Sequence, residues 1–179
     1  MEVLKDRLAV AYELLNDEPD AAHGIANDIL RDDPDNAAAL FLIGVLLCKT
    51  NRYGYAIPVW EKVTKLKPEK AGAWNNLGMA HQECGQQEKA REAFKRALAI
   101  NHCADYLGNI AVTYNEQGNY AEGVRWAKKA IALDPKHAGA TATLGFCQIA
   151  TGDWSGWKNY ESALGGKFRK REDFAPDWD

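Results

Sequence analysis

The chain has 179 residues, of which 46% are hydrophobic and 26% charged, and its net charge is -3. This composition is typical of a folded globular protein. The acidic balance disfavours nucleic-acid binding, because phosphate recognition needs a basic stripe. The basic run at residues 167–171 is followed at once by Glu172 and Asp173. We therefore expect a folded protein without a nucleic-acid partner.

Membrane insertion, secretion and metal binding are also disfavoured. No stretch approaches the roughly 18 apolar residues that span a bilayer, and residues 1–7 carry charges of both signs instead of a secretory apolar run. The cysteines lack C-x-x-C spacing, which favours reduced thiols in a cytoplasmic protein; they are Cys48, Cys84, Cys103 and Cys147. His81 and Cys84 share a predicted helix face, but two ligands do not complete a metal site. We expect no cofactor.

Prolines recur along the chain at a near-constant spacing. Pro68 follows Pro34 by 34 residues and Pro135 follows Pro68 by 67, with His102 at the intermediate place. A period of this size with helical patterning inside it predicts an array of helix pairs. Because such arrays work through an extended surface, the spacing favours binding over catalysis.

The clearest unit covers residues 71–103. Its first predicted helix ends at Gly85, and its second runs over residues 87–100. In this unit Gly78 and Ala90 are small enough to let two helices approach closely, while Trp74 and Phe94 fill the space beside them. The first helix also places Leu77 and His81 on the packing face.

This alternation of bulky and small residues resembles the tetratricopeptide repeat (TPR). In that register the chain holds five copies, at about 3–36, 37–70, 71–103, 104–137 and 138–170, which form one array over residues 1–170 with an extension at 171–179. The resemblance implies an all-α, right-handed superhelical solenoid of five helix pairs with an irregular C-terminal cap or extension.

Equivalent places in the other copies are filled consistently. Gly118 and Gly152 match Gly85 at the turn between the helices, where a left-handed backbone is expected. The first copy is the weakest and uses Ala9 and Val10 as its packing residues. Several aromatic residues are predicted to pack in the core or at the starts of second helices, namely Tyr53, Trp60, Trp74, Phe94, Tyr120 and Trp154.

The first helices of successive repeats line a concave groove in this family, and a ligand usually lies along it. The residues predicted to face that groove are those on first helices that the packing stripe does not use. They are Leu42, Val45, Lys49, Asn75, Asn76, Met79, Gln82, Asp105, Asn109, Val112, Asn115 and Phe146.

Asn76 and Asn109 occupy equivalent places one repeat apart. An amide side chain both donates and accepts hydrogen bonds, which suits a peptide backbone whatever its side chains. The groove of TPR-bearing O-linked sugar transferases looks similar, with asparagines that grip peptide backbone. The alternative is that these asparagines tie neighbouring helices together, as buried amides commonly do.

A clamp for a C-terminal carboxylate, known from other TPR proteins, is disfavoured here. The corresponding area carries Phe41, Val45 and Asp105, and an acid in place of a base repels a carboxylate. The predicted groove is instead apolar toward the second copy and amide-rich and mildly acidic toward the fourth. We therefore predict a partner segment with hydrophobic anchors and a basic residue.

The last copy departs from the pattern, since Trp157 stands where Ala56 and Ala90 stand in other copies. A bulky indole there requires a wider helix pair or a shifted register. Residues 168–178 are predicted to cover Trp154, Trp157 and Tyr160 as a terminal cap. Alternatively, residues 152–161 resemble the segment that joins TPR arrays to glycosyltransferase domains.

No stretch assembles a nucleophile, a base and an oxyanion donor, or a phosphate-binding glycine loop. We therefore predict a non-catalytic scaffold that binds a protein or peptide in its groove. The rival hypothesis is the substrate-recognition arm of a glycosyltransferase whose catalytic domain lies outside this chain. Self-association through the exposed terminal helices is a further partner hypothesis.

Overall fold

The computed structural model describes the backbone of residues 2–163 and the side chains of residues 6–163. Within this range the chain forms ten α-helices and no strand, which confirms the predicted all-α class. The helices are α1 (Glu2–Glu13), α2 (Pro19–Asp32), α3 (Ala37–Lys49), α4 (Tyr53–Leu66), α5 (Ala71–Glu83), α6 (Gln87–Ile100), α7 (Ala104–Glu116), α8 (Tyr120–Leu133), α9 (Ala138–Ala150) and α10 (Gly156–Ala163).

The helix boundaries follow the repeat pattern of the sequence. Helices α3, α5, α7 and α9 begin at the residues where the second to fifth predicted copies begin. Three turns hold left-handed glycines as expected, with φ of +72° at Gly85 and Gly118 and +84° at Gly152. Asn51 takes the equivalent place between α3 and α4 with φ of +56°, a conformation that asparagine tolerates better than most residues.

The chain divides into two compact units, Met1–His102 and Cys103–Asp179. Unit 1 contains α1–α6, and the described part of unit 2 contains α7–α10. In unit 1 helix α3 contacts both α1 and α5, and in unit 2 helix α7 contacts α9, so the first helices of successive pairs adjoin one another. We call the surface formed by these first helices the odd-helix face of each unit.

Two helix pairs of unit 1, α3 with α4 and α5 with α6, are each closed by an aromatic ring that packs on a glycine. Trp60 and Phe94 are fully buried. A Cβ added to Gly44 would lie 2.6 Å from the Trp60 ring, and one added to Gly78 would lie 2.6 Å from the Phe94 ring. The predicted contact between bulky and small residues is therefore confirmed at these positions.

The last pair of unit 2 uses a different contact. Gly156, rather than Trp157, occupies the small position, and a Cβ on Gly145 would lie 2.6 Å from the carbonyl oxygen of Gly156. The register of α10 is thus shifted by one residue, which leaves the Trp157 indole outside the helix pair with 37% of its surface exposed. The predicted cap at residues 168–178 and the end of the array at residue 170 lie outside the described residues.

Two packing predictions were wrong. Trp154 is 68% exposed, because it lies in the turn before α10 and not at the start of that helix. In α1, Ala9 and Val10 are exposed and Ala11 is buried in a cluster with Ala22 and Ala26 of α2. The face of α1 that packs on α2 is therefore rotated from the one predicted. The right-handed superhelical path and the division into five repeats stay predictions.

Candidate functional site

A cavity of about 270 Å³ lies on the odd-helix face of unit 1 between α3, α4 and α5. Four of the residues predicted to face a ligand line it together: Val45, Lys49, Asn76 and Met79. Its other lining residues are Cys48, Tyr53 and Trp60. Pockets for small molecules typically measure about 300–1,000 Å³, so this cavity suits a single amino-acid side chain.

Trp60 is the aromatic centre of the cavity and is held in place on two sides. Its Nε1 donates a hydrogen bond to Cys48 Sγ at 3.4 Å. The Phe41 ring packs edge-on against the indole, with ring centroids 4.9 Å apart and planes at 84°. Because the indole N–H has a partner, Trp60 forms a buried, apolar part of the cavity wall.

The ionisable groups beside the tryptophan are uncharged at neutral pH. Burial raises the pKa of the Cys48 thiol above its ordinary 9.0, and the hydrogen bond from Trp60 offsets part of this rise. Burial, followed by the charges of Glu83 and Cys48, raises the pKa of Tyr53 above 10.0. The Tyr53 hydroxyl donates to Asn51 Oδ1 at 3.2 Å. The cavity wall therefore favours an apolar occupant.

Lys49 gives the cavity a positive charge. Its Nζ donates a hydrogen bond to Asn16 Oδ1, a neutral acceptor. A second ammonium group, Lys70 Nζ, lies 4.1 Å from the centroid of the Phe41 ring, a favourable cation–π distance. In the part of the chain that the structure describes, neither lysine forms an ion pair with a carboxylate.

Asn76 is half-buried at the cavity wall and has no hydrogen-bond partner among residues 6–163. Its amide therefore has two donors and an acceptor to offer a ligand. The neighbouring Asn75 instead donates from Nδ2 to Met79 Sδ at 3.5 Å. Met79 is 43% exposed, and Gln82 is half-buried one helical turn from it.

Leu42 was predicted to face a ligand, and the structure corrects this. It is fully buried in the cluster that joins α1, α2 and α3. Helix α3 is apolar on nearly all sides, and the face bearing Leu42 is covered by the preceding helices. Leu42 therefore belongs to the core of unit 1.

In unit 2, the remaining predicted residues lie along α7 and α9. Asp105 is exposed and its Oδ1 accepts a hydrogen bond from His137 Nε2 at 3.1 Å. His137 Nδ1 accepts from the Ala140 backbone N–H at 2.9 Å, so the ring carries its proton on Nε2. This hydrogen bond links the starts of α7 and α9, and it engages one oxygen of the Asp105 carboxylate.

Asn109, Val112 and Asn115 are half-buried on α7. Asn115 Oδ1 accepts from Cys147 Sγ at 3.7 Å, which ties α7 to α9. Phe146 is 45% exposed, and its ring centroid lies 6.4 Å from that of Tyr120. Asn115 therefore has a structural role, and Phe146 is an apolar group on the odd-helix face of unit 2.

Sequence reasoning missed part of the cavity. The sequence predicted only a packing role for Tyr53 and Trp60, and only a reduced thiol at Cys48. All three residues also line the cavity. The position of Lys70 above Phe41 was not predicted either. Between residues 6 and 163, no three His, Cys, Asp or Glu side chains are grouped so as to hold a metal ion. No described helix is long and apolar enough to cross a membrane.

Successive helix pairs, each closed by a small residue, with their first helices side by side, define an α-helical repeat protein. Residues 69–136 match the model of the Tetratricopeptide repeat family. This match over part of the chain confirms the resemblance to tetratricopeptide repeats seen in its sequence.

Two curated proteins are similar to part of this chain. Cellulose synthase 1 operon protein C of Komagataeibacter xylinus is 39% identical over 72 residues, which are 40% of this chain and 5% of that protein. Protein O-mannosyl-transferase TMTC1 of Homo sapiens is 35% identical over 60 residues, 34% of this chain and 7% of that protein. The chain therefore spans only a small part of these relatives.

Two solved structures are similar over nearly the whole chain. The crystal structure of MamA protein aligns with a TM-score of 0.80 at 21% identity, and covers 98% of this chain and 97% of MamA. YrrB, described as a TPR protein with an unusual peptide-binding site, aligns with a TM-score of 0.76 at 17% identity over 90% of this chain and 86% of its own. At these identities the likeness shows the fold, an all-α solenoid of the TPR type.

Proposed function

We propose that this protein is a non-catalytic scaffold that binds a peptide or protein segment on its odd-helix faces. The observation that carries the proposal is the convergence of Val45, Lys49, Asn76 and Met79 on one cavity of unit 1. These residues come from two helices that were selected by repeat position alone. The cavity accepts one side chain of the partner, and Asn76 bonds the backbone beside it.

The chemistry of the cavity favours a peptide over a free small molecule. An apolar cavity near the size of one side chain, with an unpartnered amide at its wall, matches a side chain followed by a peptide bond. YrrB, which shares the fold, is described as having a peptide-binding site. On unit 2, Asn109, Val112 and Phe146 are proposed as further contacts for the same class of ligand.

The proposal is tested by selecting dodecapeptides from a random phage-displayed library against the full chain. Selected peptides are synthesised with a fluorescent label, and their Kd is measured by fluorescence polarisation. Met79→Arg puts a bulky polar side chain where the apolar side chain of the partner would lie, and is expected to weaken binding at least tenfold, which corresponds to about 1.4 kcal/mol. Asn76→Ala is expected to weaken binding roughly two- to tenfold, the range for one hydrogen bond.

Leu66→Arg is the matched control, because Leu66 is also exposed and apolar but lies at the end of α4, away from the cavity. It is expected to leave Kd unchanged. The proposal fails if the library yields no binder, or if Met79→Arg and Leu66→Arg affect binding equally. Thermal unfolding of each variant shows that it is folded.

A substrate-recognition arm for a glycosyltransferase is the second candidate. It is favoured by the match to a region of an O-mannosyl-transferase and by the resemblance of residues 152–161 to a joining segment. The gene sequence beyond the codon for Asp179 tests it. A continuous frame that encodes alternating strands and helices supports the arm, whereas a stop codon contradicts it.

We also propose a cytoplasmic location and self-association of the chain. All four cysteines are free thiols, in keeping with a reducing compartment. Cell fractionation tests the location, and recovery outside the cytoplasm contradicts it. Light scattering over a concentration series tests self-association, and a constant monomer mass contradicts that.

A further inference from the structure

The cavity of unit 1 combines an apolar wall with a positive charge that no carboxylate of the described chain neutralises. We propose that it selects an acidic partner segment, in which a large apolar side chain fills the cavity and an adjoining carboxylate pairs with Lys49. This inference rests on the proposed function and names the chemical class of its ligand.

The apolar anchor follows from the groups that line the cavity. Val45 and Met79 contribute aliphatic and thioether surface, and Trp60 contributes an indole whose N–H is already bonded to Cys48. Methionine adapts its shape to different occupants and makes favourable contacts with aromatic rings. Leucine, methionine and phenylalanine side chains therefore fit this cavity better than polar ones.

The acidic flank follows from the state of Lys49. Lys49 lines the cavity, and the hydrogen-bond partner of its ammonium group within the described chain is the neutral amide oxygen of Asn16. An ammonium group carries three donors, so Lys49 retains donors for a ligand while Asn16 orients it. A carboxylate beside the apolar anchor gains a charge-assisted hydrogen bond, which is stronger than one between neutral groups.

Other charges near the cavity support the same sign. Lys70 lies over Phe41, which packs against the cavity tryptophan. Glu83 contributes a negative charge near the cavity, since its charge helps to raise the pKa of the lining residue Tyr53. Two ammonium groups against one carboxylate leave the cavity region positive. The basic partner residue predicted from the sequence belongs to the mildly acidic fourth copy in unit 2, whereas the charges beside the cavity of unit 1 favour an acidic one.

The test uses the peptides selected against the full chain. Enriched sequences are expected to place Asp or Glu within one or two residues of a large apolar residue. Replacing that acid by Gln is expected to weaken binding about two- to fivefold, the strength of one partly exposed ion pair. The loss should diminish as salt is added, because screening weakens exposed pairs.

Charge exchange then assigns the contact to Lys49. Lys49→Gln removes the positive charge but keeps a hydrogen-bond donor, and is expected to abolish the difference between the Glu and Gln peptides. Lys49→Glu should bind the matching Lys peptide better than the Glu peptide. Lys65→Gln on α4, an exposed lysine away from the cavity, should leave the preference intact.

The outcomes separate this inference from the proposed function. Suppose that peptides bind and that Met79→Arg weakens their binding, but that they show no preference for an acidic residue. This result overturns the inference and leaves the proposed function standing. A preference for basic peptides that survives Lys49→Gln also overturns it. If no peptide binds the unmodified chain, both fail.

Discussion

Gly44 and Trp60 form a close contact between α3 and α4, since a Cβ added to Gly44 would lie 2.6 Å from two atoms of the indole. The same ring lines the cavity of unit 1. Helix packing and the proposed ligand binding therefore involve the same residue, and a change that displaces the ring should affect both.

Gly44→Ala is expected to destabilise the protein by about 1–3 kcal/mol, the usual effect of overpacking a core. The added methyl group must displace the Trp60 ring, because two atoms of the indole lie 2.6 Å from the place that the new Cβ would take. Urea unfolding followed by circular dichroism measures the change.

Gly24→Ala is the control for this substitution. Gly24 lies in α2, and an added Cβ would meet no atom within 4 Å. It is expected to stabilise the protein by about 0.5–1 kcal/mol, because alanine is the better helix former. An equal loss of stability in both variants would contradict the role assigned to the Gly44 contact.

The turn between α5 and α6 supplies a second stability prediction. Gly85 has φ of +72°, so Gly85→Ala should cost about 1–2 kcal/mol from left-handed strain alone. An added Cβ there would meet no neighbour, which separates strain from steric contact. Gly72→Ala, with open space and no positive φ, should not destabilise. A loss below about 0.3 kcal/mol at Gly85 would refute the strain argument.

Asp153 predicts a dependence of stability on pH. Hydrogen bonds from Ser155, then from Gln148, hold the pKa of its carboxyl below the ordinary 3.8. A lowered pKa in the folded state stabilises the protein above pH 3.8, and this stabilisation is lost as the pH falls through the folded pKa.

Thermal unfolding in acidic buffers tests this dependence. Asp153→Asn should flatten the decline of Tm below pH 3.8, and Ser155→Ala should move the decline toward higher pH. Identical profiles for the unmodified chain and Asp153→Asn would contradict the assignment. Asp153 also belongs to the segment that resembles a glycosyltransferase joining region. Its hydrogen bonds in the turn before α10 give it a structural role that does not depend on an attached glycosyltransferase domain.

The thiols give a prediction for ligand binding. Cys48 lines the cavity with a pKa raised by burial, whereas Cys84 is exposed. Iodoacetamide should therefore alkylate Cys84 faster than Cys48 at mildly alkaline pH, because the thiolate is the reactive form. A bound peptide should slow the reaction of Cys48 and leave Cys84 unaffected, as mass spectrometry of the labelled chain would show. Protection of Cys84 with no protection of Cys48 would place the ligand elsewhere.

Much of the fold could be predicted because the residues that pack within each repeat lie close together in the sequence. Trp60 and Phe94 recur at one helix position, and glycine recurs at the turns, so periodicity alone identified the buried aromatic residues and the left-handed turns. Leu42 could not be placed this way. Helix α3 is apolar on nearly all sides, and only the packing of α1 and α2 decides which leucine is covered.

The candidate site was predicted in part for a similar reason. Repeat position identified Val45, Lys49, Asn76 and Met79, since these fall on the helix face opposite the packing stripe. The Lys70–Phe41 contact depends on the conformation of a long surface side chain, which no periodicity encodes. The register of α10 could not be predicted for a different reason. Trp157 can be accommodated either by a wider helix pair or by a shift of one residue, and the structure has the shift, with Gly156 in the small position.

The most direct test of the central claim is a two-dimensional amide NMR titration of the labelled full chain with a selected peptide. The account predicts that the largest shift changes fall on α3 and α5 around Val45, Lys49, Asn76 and Met79. Changes confined to the exposed surfaces of α2, α4 or α6, with these four residues unmoved, would contradict it.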